Sequence, residues 1–182
     1  MSELEQRADA WVGEYRDHHH LRRTRDWLLE LEPAADEALR LAALTHDMER
    51  HFPGGPIVDP AGREPDDPGY NAAHQDRSAE IVGGWLREQG AADDLADDVA
   101  HLIRRHELGG DPRQDLLQAA DSLSFLETKR DLMLGWLRDG RCDRERALRQ
   151  PRWMYDRIRL ERARPLARPL LEETLAAIEA AG

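Results

Sequence analysis

The sequence predicts an all-α fold, a single compact bundle of about seven or eight helices. Three observations carry that expectation. Apolar residues recur at helical spacing along most of the chain. Ala, Leu, Glu and Arg abound, whereas the strand-favouring Val, Ile, Tyr and Phe are few and aromatics make up only 5%. At 182 residues the chain suits one domain and is long enough to bury a proper core.

Taken in order, a first helix covers about 3–16. A second starts near His18 and carries the stripe Thr24, Trp27, Leu28 and Leu31 until Pro33 stops it. The segment 35–49 is apolar on nearly every side (Ala38, Leu39, Leu41, Ala42, Ala43, Leu44), as a buried central helix should be. From 51 to about 70, prolines and glycines break the periodicity, beginning with His51-Phe52-Pro53-Gly54-Gly55-Pro56. A loop of this length in a compact domain is typical of lids and substrate loops. Helices resume at about 71–89, 92–107, 113–127 and 129–139, and two more cover roughly 143–161 and 164–180. The last is amphipathic (Leu166, Leu170, Leu171, Leu175, Ile178) and either packs on the domain or joins a homodimer. No linker divides the chain, so one domain over 1–182 is expected.

A formal net charge of -11 argues against a nucleic-acid partner, which needs a basic face. Lys129 is the single lysine. The single cysteine, Cys142, excludes an internal disulfide framework and a multi-cysteine zinc site, and fits a reducing cytoplasm. No stretch reaches the 18 or so apolar residues of a membrane-spanning helix, and the acidic start Ser2-Glu3-Leu4-Glu5 is unlike a signal peptide. A cytoplasmic protein without membrane or nucleic-acid partners is the expectation.

The strongest chemical signal is Leu41-Ala42-Ala43-Leu44-Thr45-His46-Asp47. A buried helix that ends in an imidazole and a carboxylate must supply partners for both, because unpaired buried polar groups are costly. Four other residues are placed alike. His20 shares a face with Thr24, Trp27 and Leu31; His74 with Ser78, Ile81 and Trp85; His106 with Val99 and Leu102; and Asp121 with Leu117 and Phe125. One core-facing histidine is ordinarily a hydrogen-bonded core residue. Five helices or helix ends, each directing a nitrogen or carboxylate inward, suit a divalent transition metal. His18 and His19 compete with His20 for the first position; only His20 is in phase with Trp27. His101, about 140° around its helix from His106, is expected to face solvent.

The ordered set His20, His46-Asp47, His74, His106, Asp121 resembles the HD-domain superfamily of metal-dependent phosphohydrolases. His20-Leu21-Arg22-Arg23-Thr24 is similar to that superfamily's opening His-x-x-Arg-Val helix, and Ala42-Ala43-Leu44-Thr45-His46-Asp47 to its Ala-Ala-Leu-Leu-His-Asp core. Ile103-Arg104-Arg105-His106-Glu107 is similar to the Ile-x-x-His-Glu segment of two-metal members, and Ala119-Ala120-Asp121-Ser122-Leu123 to the closing Ala-Asp helix. The resemblance spans 18–126, leaving helices over 129–180 to pack on that core. Two departures, Met48-Glu49-Arg50 after His-Asp and the absence of a Gly-Tyr-Pro motif after His106-Glu107, leave cyclic-dinucleotide hydrolysis unsupported.

The resemblance implies an HD-like helical fold in which His20, His46, Asp47 and Asp121 hold a first metal. His74 and His106 then hold a second, with Asp47 bridging. Fe or Mn leads the candidates, with Ni, Co, Zn and Mg open. It also implies hydrolysis of a phosphomonoester or nucleotide by a metal-activated water. Asp47 and Glu49 are the candidate catalytic carboxylates. Arg23, Arg50, Arg77, Lys129 and Arg130 are candidates to grip phosphate. The same ligand pattern also resembles the superfamily's di-iron oxygenases of small phosphonates and polyols; the lack of a lysine near His46-Asp47 or just after His106 favours hydrolysis. A non-catalytic protein that binds a metal or a nucleotide stays open as a third reading. The stretch from Gln150 to Ile158 mixes aromatics with arginines and is a further candidate pocket wall, though Trp153 reads first as packing.

Overall fold

A computed structural model of the chain describes residues 1–56, 59 and 61–181. Among the described residues there are nine α-helices, two short 3-10 turns and no strand. The all-α class is as expected, and the nine helices correspond to the segments read from periodicity, against the overall count of about seven or eight. They are α1 (Glu3–Val12), α2 (His18–Leu31), α3 (Glu37–Thr45), α4 (Pro68–Glu88), α5 (Asp93–Ile103), α6 (Pro112–Thr128), α7 (Arg130–Arg138), α8 (Arg144–Asp156) and α9 (Arg164–Ala180). No helix among the described residues is long and apolar enough to cross a membrane.

The helix starts follow from side chains that satisfy first-turn amides. Ser2 and Asp111 form reciprocal capping boxes with Glu5 and Gln114. Asp36, Asp67 and Asp143 accept from the amides of Leu39, Tyr70 and Arg146. Because Asp67 caps α4 and Pro68 occupies its first turn, that helix begins three residues earlier than the sequence pattern places it, shortening the loop.

The segment expected to be one helix over 35–49 is instead split. α3 stops at Thr45, and a 3-10 turn covers Met48–His51. His46 Nδ1 takes Ala43 O at 3.1 Å, the carbonyl that the Asp47 amide would use in a longer helix, and Thr45 Oγ1 back-bonds to Leu41 O at 2.7 Å. His46 and Asp47 therefore sit in the break, free of the helix ladder. α8 likewise ends at Asp156, short of the expected 161, which places Arg157 at its cap.

α3 is central, packing against α1, α2, α5 and α6. Its Leu41 and Leu44 are fully buried with Leu21 and Leu28 of α2, Leu102 and Ile103 of α5, and Leu117 and Leu123 of α6. Each such leucine contributes about 1.5–3 kcal/mol by leaving water. A smaller cluster of Met133, Trp136, Ala147 and Ile178 joins α7, α8 and α9, and Ala61 from the long loop packs into it.

Candidate metal centre

Five elements bring the six predicted ligands together. His20 comes from α2, His46 and Asp47 from the end of α3, His74 from α4, His106 from just beyond α5, and Asp121 from α6. None is more than 8% exposed. His19 is exposed and His18 turns its Nδ1 to Tyr15 O at 2.9 Å, so the α2 register selects His20. His101 is exposed, as expected. The short step from His106 to Asp121 is possible because Gly109 takes φ +68°, a conformation that favours glycine, and Asp111 then starts α6 at once.

Each imidazole is held at Nδ1 by an acceptor behind it. His46 and His106 donate to the carbonyls of Ala43 and Ile103 at 3.1 and 2.8 Å, and His74 donates to Glu49 Oε1 at 2.8 Å. His20 Nδ1 lies 2.8 Å from Ser124 Oγ, whose own proton goes to His20 O at 2.8 Å, so here too Nδ1 is the donor. In neutral rings all four lone pairs are thus placed on Nε2, the arrangement that metal-ligating histidines adopt.

Those Nε2 atoms face two carboxylates. Asp121 Oδ1 lies 3.1 Å from His20 Nε2 and 3.3 Å from His46 Nε2. Asp47 Oδ1 lies 2.9 Å from His74 Nε2 and 3.9 Å from His106 Nε2. The rings form a chain with centroids 5.4, 4.9 and 5.2 Å apart from His20 through His46 and His106 to His74. Among the described residues His46 Nε2 is buried without a hydrogen-bond partner, a condition that calls for one. Among the described residues three groups have donor atoms close enough to hold a metal ion: His20, His46 and Asp121; His46, Asp47 and His106; and His74, His106 and Glu107.

The charges are strongly coupled to this geometry. Burial works to raise the Asp47 carboxyl, but Arg50, His74 and His46 together hold it well below the usual carboxylate range. Burial opposes ionisation of Asp121 in the same way, yet Arg157 and the two histidines keep it far below its ordinary value. Burial also pushes His106 down to about 4 and lowers His20, which favours neutral, lone-pair-bearing rings. At His46 and His74 burial acts in that direction too, but the neighbouring carboxylates prevail and raise them. The cluster attracts positive charge.

The other predicted site residues are placed unequally. Glu49 is buried behind His74, on the Nδ1 side away from Asp47, and so orients that ring. Arg77 is engaged by Glu49 at 3.3 Å and by Pro53 O at 2.7 Å. Arg23 pairs with Glu127 at 2.8 Å and Arg130 with Glu173, and neither lines the pocket. Lys129 lines the pocket and pairs with Asp17. Arg50 reaches the ligands themselves, its Nε 3.2 Å from Asp47 Oδ2 and its NH2 3.2 Å from His74 Nε2.

Two residues at the centre are absent from the predicted set. Arg157, only 5% exposed, pairs with both Asp121 and Glu107 and donates to Ser122 Oγ at 2.9 Å. It belongs to the aromatic–arginine stretch noted in the sequence, which was the available signal. Glu107 directly follows His106, and Arg157 and His106 hold it below its ordinary value against the effect of burial. A pocket of about 780 Å3 opens onto the cluster, with Asp47, Glu107 and Asp121 on its wall and Tyr15, Phe125 and Trp153 among its apolar lining.

A family model described as a domain of unknown function (DUF4202) matches residues 4–135, more than half of the chain, and the chain belongs to that family. The match takes in all six predicted ligands and ends before α8, which brings Arg157. No curated protein and no solved structure matches the chain.

Proposed function

We propose that this chain is a metal-dependent phosphohydrolase of the HD type, acting on a small phosphomonoester or a nucleotide. The observation that carries this reading is the set of four buried Nε2 atoms, each oriented by an acceptor at Nδ1, that converge on two buried carboxylates. His20, His46, Asp47 and Asp121 would hold a first divalent ion. His74 and His106 would hold a second, with Asp47 shared. Mixed imidazole and carboxylate donors suit Fe or Mn, and also Co, Ni or Zn. Bound there, such an ion supplies an activated water near neutral pH and neutralises charge on phosphoryl oxygens.

The chain's own residues prepare that chemistry. Arg157 balances the charge of Asp121 and Glu107 from the side opposite the imidazoles, so the carboxylates stay ionised in a buried place. Glu49 fixes the His74 ring as a positioning residue, in place of the acid–base role that its sequence position suggests. Arg50 adds positive charge at the pocket, whose 780 Å3 can admit a nucleotide-sized substrate. A di-iron oxygenase is the second reading. Lys129 does line the pocket, but its amine is engaged by Asp17, which supports hydrolysis over this alternative.

The test is a panel of phosphomonoesters and nucleotides with Mn, Fe, Co or Ni added, alongside oxygen uptake by the iron-loaded protein. Metal-dependent phosphate release, abolished in Asp47→Asn and kept in Arg23→Ala, is expected. Oxygen consumption without phosphate release would transfer the chain to the oxygenases, and neither activity would leave a binding protein.

A further inference from the structure

Arg63 lies in the loop before α4 and lines the same pocket that opens onto the histidine cluster. It is 9% exposed. Among the described residues no carboxylate pairs with it. Its Nε has no hydrogen-bond partner, and its NH1 donates to the neighbouring Glu64 carbonyl at 3.1 Å. Arg157 shows the contrast: its side chain, 5% exposed, is met by two carboxylates. A buried arginine charge with no directly paired carboxylate is costly. Tyr70, Glu107 and Asp67 offset it only through space, so the guanidinium is arranged for a direct counter-charge from outside the chain.

The place is built, too. Arg146 Nε donates to the Arg63 carbonyl at 2.6 Å, and Asn71 Nδ2 holds Pro65 O at 3.2 Å, which pins the loop on both sides. The guanidinium lies 3.8 Å over the Tyr70 ring, and that ring is stacked with His74 at 6.0 Å. Stacking on an aromatic face fixes the plane of the fork and leaves its edge for oxygen acceptors. Burial lowers the Arg63 pKa, and the nearby Arg50 charge adds to that against the opposing pull of Tyr70, Glu107 and Asp67. Two guanidiniums thus share this side of the pocket, and arginine stays charged regardless.

We propose that Arg63 is an anion-binding residue of this pocket, with its guanidinium edge receiving the phosphoryl group of a phosphate monoester. The assignment rests on the reading of the pocket as the substrate site. A planar fork matches two oxygens of one phosphate and gives a neutral polyol no comparable partner.

Inorganic phosphate titrated into the 182-residue chain by calorimetry, as purified and after chelation, tests this. The chelated wild type should bind phosphate, Arg63→Met should weaken that binding at least tenfold, and Arg63→Lys, which keeps the charge and loses the fork, several-fold. Circular dichroism and metal content should stay unchanged in the variants. Should Arg63→Met fail to fold, the lysine variant decides alone. Equal phosphate affinity in wild type and the folded variants, or no phosphate binding by the chelated wild type at millimolar concentration, overturns the assignment. Binding by the chelated chain needs neither metal nor turnover, so the two proposals fail separately. Phosphate binding lost in the variants of a chain with no hydrolytic activity would keep Arg63 and remove the hydrolase; undiminished hydrolysis in Arg63→Met would do the reverse.

Discussion

At one end of the cluster, His20 and His46 face Asp121 at 3.1 and 3.3 Å, and both rings are held from behind by uncharged acceptors. At the other end, His74 meets Asp47 at 2.9 Å and is held from behind by a carboxylate, while Arg50 stands 3.2 Å from its Nε2. The first end is formed by α2, α3 and α6, elements of the main core, and among the described residues its only arginine contact is on the far oxygen of Asp121. The second depends on the turn after α3 and on α4, next to the long loop. Two unit charges 4 Å apart interact by about 4 kcal/mol at an effective dielectric of 20. A cation held at the second end must therefore either work against Arg50 or displace it, and the first end should bind metal more tightly.

The largest expected effect comes from Asp121→Ala. It removes the carboxylate of the first end and leaves Arg157 half-paired in the core, so it should cost about 3–5 kcal/mol of stability as well as the metal. Thermal unfolding with metal analysis checks both. Asp47→Ala should cost less stability, because Arg50 can turn toward the pocket opening; equal losses would show that the ends are not distinct in this way. Glu49→Gln should weaken the second end about 10–100-fold in metal affinity and leave the first intact, as seen in a biphasic metal titration. Arg50→Gln should act oppositely, tightening the weaker phase several-fold.

The smallest effect is a control away from both ends. Glu5 is buried, and although burial alone would raise its carboxyl, Arg40 at 2.6 Å and the Ser2 amide hold it below its ordinary value. A carboxyl depressed by folding stabilises the fold above about pH 4.5, and that contribution is lost as pH falls through its folded value. Glu5→Gln should cost about 1 kcal/mol at pH 7 and flatten the acid limb of the stability curve, with both metal phases unchanged.

Much of this arrangement was legible in the sequence because periodicity reports which residues share an inward face. His20, His74 and Asp121 sit in phase with apolar neighbours, and all three point into the core. What periodicity does not encode is which partner stands behind a side chain. Glu49 reads as a free carboxylate near His-Asp, yet the 3-10 turn that follows α3 carries it behind His74. Arg23 is beside the first ligand in sequence but on the outer face of α2, where Glu127 takes it. Arg157 and Arg63 are the converse. Arg157 reaches the carboxylates of the cluster from the end of α8, and Arg63 reaches the pocket from an aperiodic loop, so their roles depend on tertiary placement with no local spacing to announce them.

Metal content of the purified chain tests the account most directly, measured for the wild type, His46→Ala and His74→Ala at matched folded fraction. The account predicts tightly held divalent metal in the wild type, loss of that tight ion in His46→Ala, and its retention in His74→Ala, which forfeits only the weaker one. A wild type that retains no metal and gains no thermal stability from added Mn, Fe, Co, Ni or Zn would contradict it.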